Sequence, residues 1–305
     1  MSESTYSPKA IHTACRRDVD NEVNSKLAYV TLMTERNEKA KIIALACALR
    51  MWKTLDDEAD YVVMVTKNIS SKTRKLFLCY YNCVIEVDRL PRERTKFHAL
   101  GLTQYEKVLF VSNSMLILDA GFRNLFMLQP PAATISVFKD NEQSYWHGRL
   151  CRSRDIELSL KFADGVKTSL MLLKPNKTDH LRIQSFSSSC SYTSLVGNAT
   201  KNYSFVRDDR ACITEFYKSQ WTHIHNRYTF YPWLHSLHYT PVCFDTREYD
   251  PFVIERTVNQ GRECPNYQLT LVLNRWRDMI REFSKSDLYL EQLFRKYEWF
   301  GSLQA

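Results

Sequence analysis

The sequence predicts an α/β fold, a mainly parallel sheet with helices packed on it and further helices appended at the C-terminus. Two observations carry this. Short continuous apolar runs, of the kind found in strands buried on both faces, recur at residues 28–32, 61–65, 84–87 and 107–111. Between the first two, Ile42, Ile43, Leu45, Ala46, Leu49 and Trp52 recur at helical spacing, and strands alternating with helical segments at this spacing build βαβ units. A chain of 305 residues can bury a full core.

Residues 1–26 are polar, charged and aperiodic and are expected to form a flexible tail. The strand at 28–32 leads through a polar turn at 34–38 into the periodic helix. A second buried strand follows at 61–65, and Ser70 or Ser71 is placed to cap the helix carrying Leu76, Phe77 and Tyr80. Residues 84–87 and 107–111 are the third and fourth strands, with further strands expected at 134–138 and 169–173. The sheet domain is expected to span 27–255. Its last part, 217–239, is dense in Tyr, Trp, His and Phe, a composition that fits either core or a sugar-stacking groove. Beyond it, Leu269, Val272, Trp276, Ile280 and Phe283 share one face of an amphipathic helix, and Leu288, Leu290, Leu293, Phe294 and Tyr297 continue the signal. They predict a helical extension over 256–305 packed on the domain. No internal repeat or long linker interrupts the chain.

Composition removes several classes of function. Only seven glycines occur, no two within ten residues of each other, so there is no P-loop, no G-x-G-x-x-G turn and no G-x-S-x-G elbow. The apolar runs at 42–51 and 108–118 are interrupted or too short to span a bilayer, so no membrane anchor is expected. The opening Ser2, Glu3, Ser4, Thr5 lacks the apolar core of a secretory signal. The nine cysteines are therefore expected to be reduced thiols of a cytoplasmic or nuclear protein. The net charge is +8, with 42 basic and 34 acidic residues interspersed. The densest basic patch, Arg89, Arg92, Arg94 and Lys96, is either a solvated face or a contact for an anionic ligand such as a phosphate. Without a concentrated basic surface interleaved with aromatics, nucleic acid is not an expected partner. His223, His225, His235 and His238 have no cysteine pair or carboxylate at ligand spacing, so a zinc site is not expected there either.

Ligands of parallel sheets sit at the carboxyl ends of the strands, near the point where strand order reverses. That rule singles out residues 32–34 and 112–114 before any relationship is considered.

Three segments in the right order then resemble the glycogenin-like enzymes of glycosyltransferase family 8. The first is Ala28-Tyr-Val-Thr-Leu-Met-Thr34. The second runs from Val62-Val-Met-Val-Thr66 through Arg74-Lys75-Leu76 to Val84-Ile-Glu-Val-Asp88. The most specific is Thr95-Lys-Phe-His98 followed by Leu102-Thr-Gln-Tyr105-Glu-Lys107-Val-Leu-Phe110. The resemblance implies a GT-A-type nucleotide-sugar domain, Rossmann-like, in a protein that, if active, transfers a hexose from a UDP-sugar with retention. It also implies that Leu32 and Thr34 hold the base, that Asp209 orients the sugar and that Lys96 reaches the sugar or the diphosphate. Family members often dimerise, so a homodimer is consistent with it. Divergent members occur in large DNA viruses of insects, which would place such a chain in the host cell. The resemblance names neither sugar nor acceptor.

The chain departs from the family at its metal site. Where the family has the metal-binding Asp-x-Asp, this sequence reads Ser112-Asn113-Ser114. Two carboxylates there hold Mn²⁺ against the diphosphate, and uncharged serine hydroxyls are poor replacements. No metal cofactor is expected, and a UDP-sugar remains the implied ligand. Residues 165–175 resemble the segment around the family's Asn-Ser-Gly, with Lys167-Thr168-Ser169 in its place. Asp208-Asp209-Arg210 matches an Asp-Gln pair, with Arg210 for the glutamine, and His238-Tyr239 resembles the third metal ligand and its neighbour. The lysine that grips the β-phosphate is missing from its expected place. Two readings of 112–114 follow: a strand end whose function has lapsed, or an edge where Lys96, Lys167 and Arg210 supply the missing positive charge. Asp209 is likewise either a sugar contact or a helix N-cap, and Lys96 either a site residue or a solvated one. His238 is either near the nucleotide or an ordinary core or surface histidine. Together these features predict a degenerate family 8 protein, non-catalytic or metal-independent. An active transferase using basic residues and a protein-interaction scaffold are the alternatives.

Overall fold

The computed structural model describes residues 25–190 apart from 36–37, 52–58, 92, 118–119, 136, 139–141 and 163–164, together with 209–229 and two short strands at 13–15 and 243–245. The expected helices beyond Leu269, and His235 and His238, lie outside the described residues. The strands are β1 (Thr13–Cys15), β2 (Leu27–Met33), β3 (Asp60–Thr66), β4 (Cys83–Val87), β5 (Lys107–Val111), β6 (Met115–Ile117), β7 (Ala132–Ile135), β8 (Val166–Leu173), β9 (Thr222–His223) and β10 (Cys243–Asp245). The α-helices are α1 (Lys39–Met51), α2 (Ser71–Phe77), α3 (Gln143–Trp146), α4 (Ser153–Phe162), α5 (Lys177–Ser189) and α6 (Asp209–Tyr217).

Eight strands form one sheet in the order β1-β4-β3-β2-β5-β8-β7-β9. Its centre, β4-β3-β2-β5, is parallel. The chain winds outward from β2 to β4 and then returns to the other side of β2 as β5, so the order reverses between β2 and β5. Side chains of a strand alternate between the two faces, and both faces are covered. Tyr29, Val63, Leu109 and Leu172 belong to one buried cluster with Ile42, Ile43, Ala46 and Leu49 of α1. Val30, Val62, Phe110 and Met171 belong to the other, with Phe97, Leu100, Ile183 and Ile213. Burial on both sides is why these strands read as unbroken apolar runs.

The differences from expectation lie at the margins. The strand expected from the apolar run at 169–173 is β8, which pairs antiparallel with both β5 and β7. Within the expected tail, Thr13–Cys15 adds an antiparallel edge strand to β4, too short to carry a periodic signal. Ser70 caps α2, its hydroxyl accepting from Thr73 N at 3.2 Å. Tyr80 falls beyond the helix, in the turn that brings Tyr81 Oη to donate to the Ile42 carbonyl at 2.6 Å. Ser70→Ala is expected to cost about 1 kcal/mol, measured as a lowered urea midpoint at an unchanged slope. The cysteines also depart from the reduced state expected of them. Cys190 and Cys212 form a disulfide, and Cys83 is disulfide-bonded as well.

Candidate functional site

The β2–β5 reversal brings together the two segments that the carboxyl-end rule selects. Asn113, just past β5, donates from Nδ2 to the Leu32 carbonyl at 3.3 Å and to Glu38 Oε1 at 2.9 Å. The other oxygen of Glu38 accepts from Thr34 N at 2.7 Å and Glu35 N at 2.8 Å. This carboxylate therefore closes the first turn before α1 and ties it to β5. The sequence carries the signal for it, an acidic residue at the end of the turn, placed to accept from backbone N–H groups ahead of a helix, although 34–38 reads there only as a polar turn. Thr34 O in turn accepts from Thr66 Oγ1 at 3.3 Å and Asn68 Nδ2 at 2.9 Å, which fixes the end of β2 against the end of β3.

Ser112 and Ser114 flank Asn113, and their hydroxyls are 2.9 Å apart, hydrogen-bonded to each other. Ser112 N donates to Ser169 O at 2.8 Å, which holds this edge on β8. A divalent ion held against a diphosphate needs anionic oxygen ligands, and this stretch offers two neutral hydroxyls and an amide. The donor set at 112–114 does not fit such an ion. Among the described residues, no group of three or more His, Cys, Asp or Glu side chains is arranged to hold a metal.

The charged centre of the site lies on the α6 side. Lys96 stands on a 3₁₀ segment (Arg94–Gly101) entered through Glu93 in the left-handed region at φ 59°. Lys96 Nζ donates to Asp209 Oδ2 at 2.7 Å and to Thr168 Oγ1 at 3.2 Å, and Thr168 Oγ1 donates to the same carboxylate oxygen at 2.5 Å. Lys96, Thr168 and Asp209 are 6%, 0% and 1% exposed, so the ammonium is neutralised inside the protein, and the reading of Lys96 as a solvated residue does not hold. Arg94 of the same basic patch is buried too, while Arg89 pairs with Glu35 at the surface. Asp209 opens α6, where a carboxylate is favoured by the helix dipole, and its Oδ2 is turned toward β8 and Lys96.

Successive strand residues face opposite ways, and this decides between Lys167 and Thr168. Thr168 meets Lys96 and Asp209, whereas Lys167 is buried with Nζ donating to the Thr229 carbonyl at 3.1 Å. Thr168 is the member of this centre that sequence reasoning missed. The loose match over Lys167-Thr168-Ser169 could have located it only with the β8 register in hand. Arg210 is half-buried in the first turn of α6, and His238 lies outside the described residues. Leu32 and Thr34 are half-buried at the end of β2.

Gly165 lets α6 approach this centre. It has φ +104°, and a Cβ there would stand 3.0 Å from Arg210 O and closer still to Thr214 Oγ1, which accepts from Val166 N at 2.8 Å. Gly165→Ala is expected to destabilise by about 2 kcal/mol or more, through left-handed strain and displacement of α6. Urea unfolding measures the loss.

Two histidine groups surround the site. His98, two residues past Lys96, has Nε2 2.9 Å from the Asp88 carbonyl and Nδ1 3.1 Å from His180 Nε2 of α5. Burial holds His98 below the usual histidine range, and burial with the neighbouring His98 pushes His180 down to about 4. On the far side, His223 Nδ1 accepts from Ile135 N at 3.3 Å and Nε2 lies 2.8 Å from Gln143 Oε1, so both ring nitrogens are engaged. Burial, then the nearby His147, His225 and Lys167, push His223 down to about 3. His225 likewise uses Nδ1 for Arg227 N and Nε2 for Ser144 Oγ. These rings serve as hydrogen-bonding core groups.

No family model matches the chain. An uncharacterized protein of Acanthamoeba polyphaga mimivirus is 29% identical over 172 residues, covering 51% of this chain and 57% of its own. The apo-form glycosyltransferase GlyE of Streptococcus pneumoniae superposes with a TM-score of 0.53 at 13% identity, covering 86% of this chain and 64% of that one. The galactosyltransferase LgtC gives 0.48 at 14% identity, covering 83% and 99%. The chain thus spans less than two thirds of the length of the viral relative and of GlyE. No helix among the described residues is long and apolar enough to cross a membrane. With a mainly parallel central sheet whose order reverses at β2 and β5, and with its likeness to GlyE, the chain has a GT-A-type glycosyltransferase fold.

Proposed function

We propose that this protein is a nucleotide-sugar-type protein of glycosyltransferase family 8 descent that binds a uridine nucleotide without metal and does not catalyse hexosyl transfer. The observation that carries this reading is the composition of the β5 end. Ser112 and Ser114 are bonded to each other, Asn113 is committed to Leu32 and Glu38, and none of the three bears the charge a diphosphate-bound cation requires. The crevice between β2 and β5 supports retained binding, since ligands of such sheets sit there. Leu32 and Thr34 would meet the base, and Lys96, Asp209 and Arg210 would border the sugar and phosphates.

A second reading, metal-independent transfer, is favoured by the preserved Lys96–Asp209 pair, which in a working enzyme would orient the sugar. Titration calorimetry with UDP and UDP-glucose, in Mn²⁺ and in EDTA, separates the outcomes. The expected result is equal affinity in both buffers and no release of glucose from UDP-glucose. Release of glucose in EDTA selects the second reading. Binding or turnover only with Mn²⁺ overturns both, and no binding in either buffer leaves the fold as an interaction scaffold.

A further inference from the structure

We propose that the Cys190–Cys212 disulfide is a redox latch beside the Lys96–Asp209 centre, and that Arg94 makes it readily opened by holding the Cys212 sulfur as a thiolate. The bond joins the end of α5 to α6 across 22 residues of sequence. Cys212 is fully buried and Cys190 half-buried. The Arg94 guanidinium, itself 3% exposed, places Nη2 3.3 Å from Cys212 Sγ and 3.5 Å from the Cys190 carbonyl. A disulfide sulfur is neutral, whereas a thiolate carries the negative charge that a guanidinium at this distance attracts. The arginine therefore stabilises the open form more than the closed one, and thiols beside cations ionise more easily than free ones.

The exchange chemistry follows from exposure and leaving-group acidity. A thiolate of the reductant, glutathione or a dithiol, attacks the sulfur of Cys190, the less buried residue of the two. An S–S bond forms between reductant and Cys190, the Cys190–Cys212 bond breaks, and Cys212 departs as a thiolate onto Arg94. A second thiol of the reductant then attacks the mixed disulfide, releasing Cys190 as a thiol and the reductant as its disulfide. Two electrons pass from reductant to protein. The site feels this directly. Arg94 and Lys96 are two residues apart on one 3₁₀ segment, and Asp209 and Cys212 stand one turn apart on α6, on the same side of the helix. Opening the latch removes the covalent tie between α5 and α6 and leaves only their side-chain packing, including Phe186 against Phe216, beside the helix that carries the carboxylate of the charged pair.

The test uses the full chain equilibrated in glutathione buffers of graded reduced-to-oxidised ratio, trapped with an alkylating agent and read by mass spectrometry at the Cys190 and Cys212 peptides. The pair is expected to open within the range of these buffers. Arg94→Gln is expected to make the disulfide at least tenfold harder to reduce, and Arg94→Lys, which keeps the charge, to restore most of the difference. An unchanged equilibrium in Arg94→Gln, or a bond that stays closed throughout, overturns the proposal. The pH profile of Cys212 alkylation in the reduced wild-type protein gives a second readout that needs no variant. A midpoint below the ordinary thiol value of about 8.5 supports the latch, and one at or above it overturns it. Neither readout involves a nucleotide, so the latch and the binding reading fail separately.

Discussion

Asp209→Ala is expected to destabilise the protein by about 3–5 kcal/mol, because it removes the nearest counter-charge of a buried ammonium and leaves only the exposed Glu93 carboxylate at 3.9 Å. Lys96 Nζ lies 2.7 Å from that carboxylate, both groups are nearly inaccessible to water, and the Thr168 hydroxyl loses its acceptor in the same step. Lys96→Ala should cost a similar amount by removing the ammonium that faces the buried carboxylate. The diagnostic is the double replacement Lys96→Met with Asp209→Leu. A buried ion pair exchanged for apolar groups of similar volume is often neutral in stability, so the double variant should recover most of what either single change loses. Urea unfolding of the three variants measures this, and a double variant as unstable as the sum of the singles would show that the pair is not the origin of the loss. Nucleotide affinity of the recovered variant then reports what the charges do beyond holding α6 to the sheet.

Acid is expected to weaken the fold well before the carboxylates of the surface are protonated. His98, His147, His180 and His223 all have folded-state values below the ordinary 6.5, each chiefly through burial. A group that resists protonation in the folded state is protonated first in the unfolded chain, so the unfolded state binds the extra protons and gains as pH falls. Stability is fully present above about pH 6.5 and is lost as pH drops toward 4, where His180 titrates in the fold, and on toward 3 for His223. One extra proton on the unfolded chain lowers stability by about 1.4 kcal/mol for every pH unit of acidification. The buried His223 alone therefore accounts for roughly 3 kcal/mol between about pH 6.5 and pH 4. Unfolding free energies at about pH 7, 5.5 and 4.5 test the slope. A flat profile above about pH 5 would mean that these rings are not held neutral.

The central strands and α1 were legible because their physics is local: burial on both faces writes unbroken apolar runs, and one buried helical stripe writes a 3.6-residue repeat. The carboxyl-end rule then placed residues 32–34 beside 112–114, and the structure brings them within hydrogen-bonding distance. What was not legible depends on register and pairing. Nothing in the residues around Thr168 says that it, and not Lys167, faces Lys96, since a one-residue slip exchanges the faces of a strand. The antiparallel direction of β8 is similarly invisible in a run that is apolar throughout. Buried Arg94 and Lys96 read as a surface patch because charge suggests solvent unless a partner is known, and Lys96's partner stands 113 residues away. The Cys190–Cys212 bond was missed for the same reason: composition suggested a cellular compartment, while bonding depends on two helix ends meeting.

The outer rims of the sheet bear on a different property, solubility. A broad sheet with a long open edge invites another chain to add a strand and begin aggregation. Here one rim carries the three residues of β1, laid against Cys83, Val84 and Ile85, and at the other Leu150 bridges antiparallel to Thr222 of the two-residue β9. Among the described residues, Cys83–Ile85 of the apolar β4 are covered by β1, and the strands at the two ends of the sheet are no more than three residues long. The N-terminal strand, which contributes nothing to the crevice, guards the edge of the sheet that builds it.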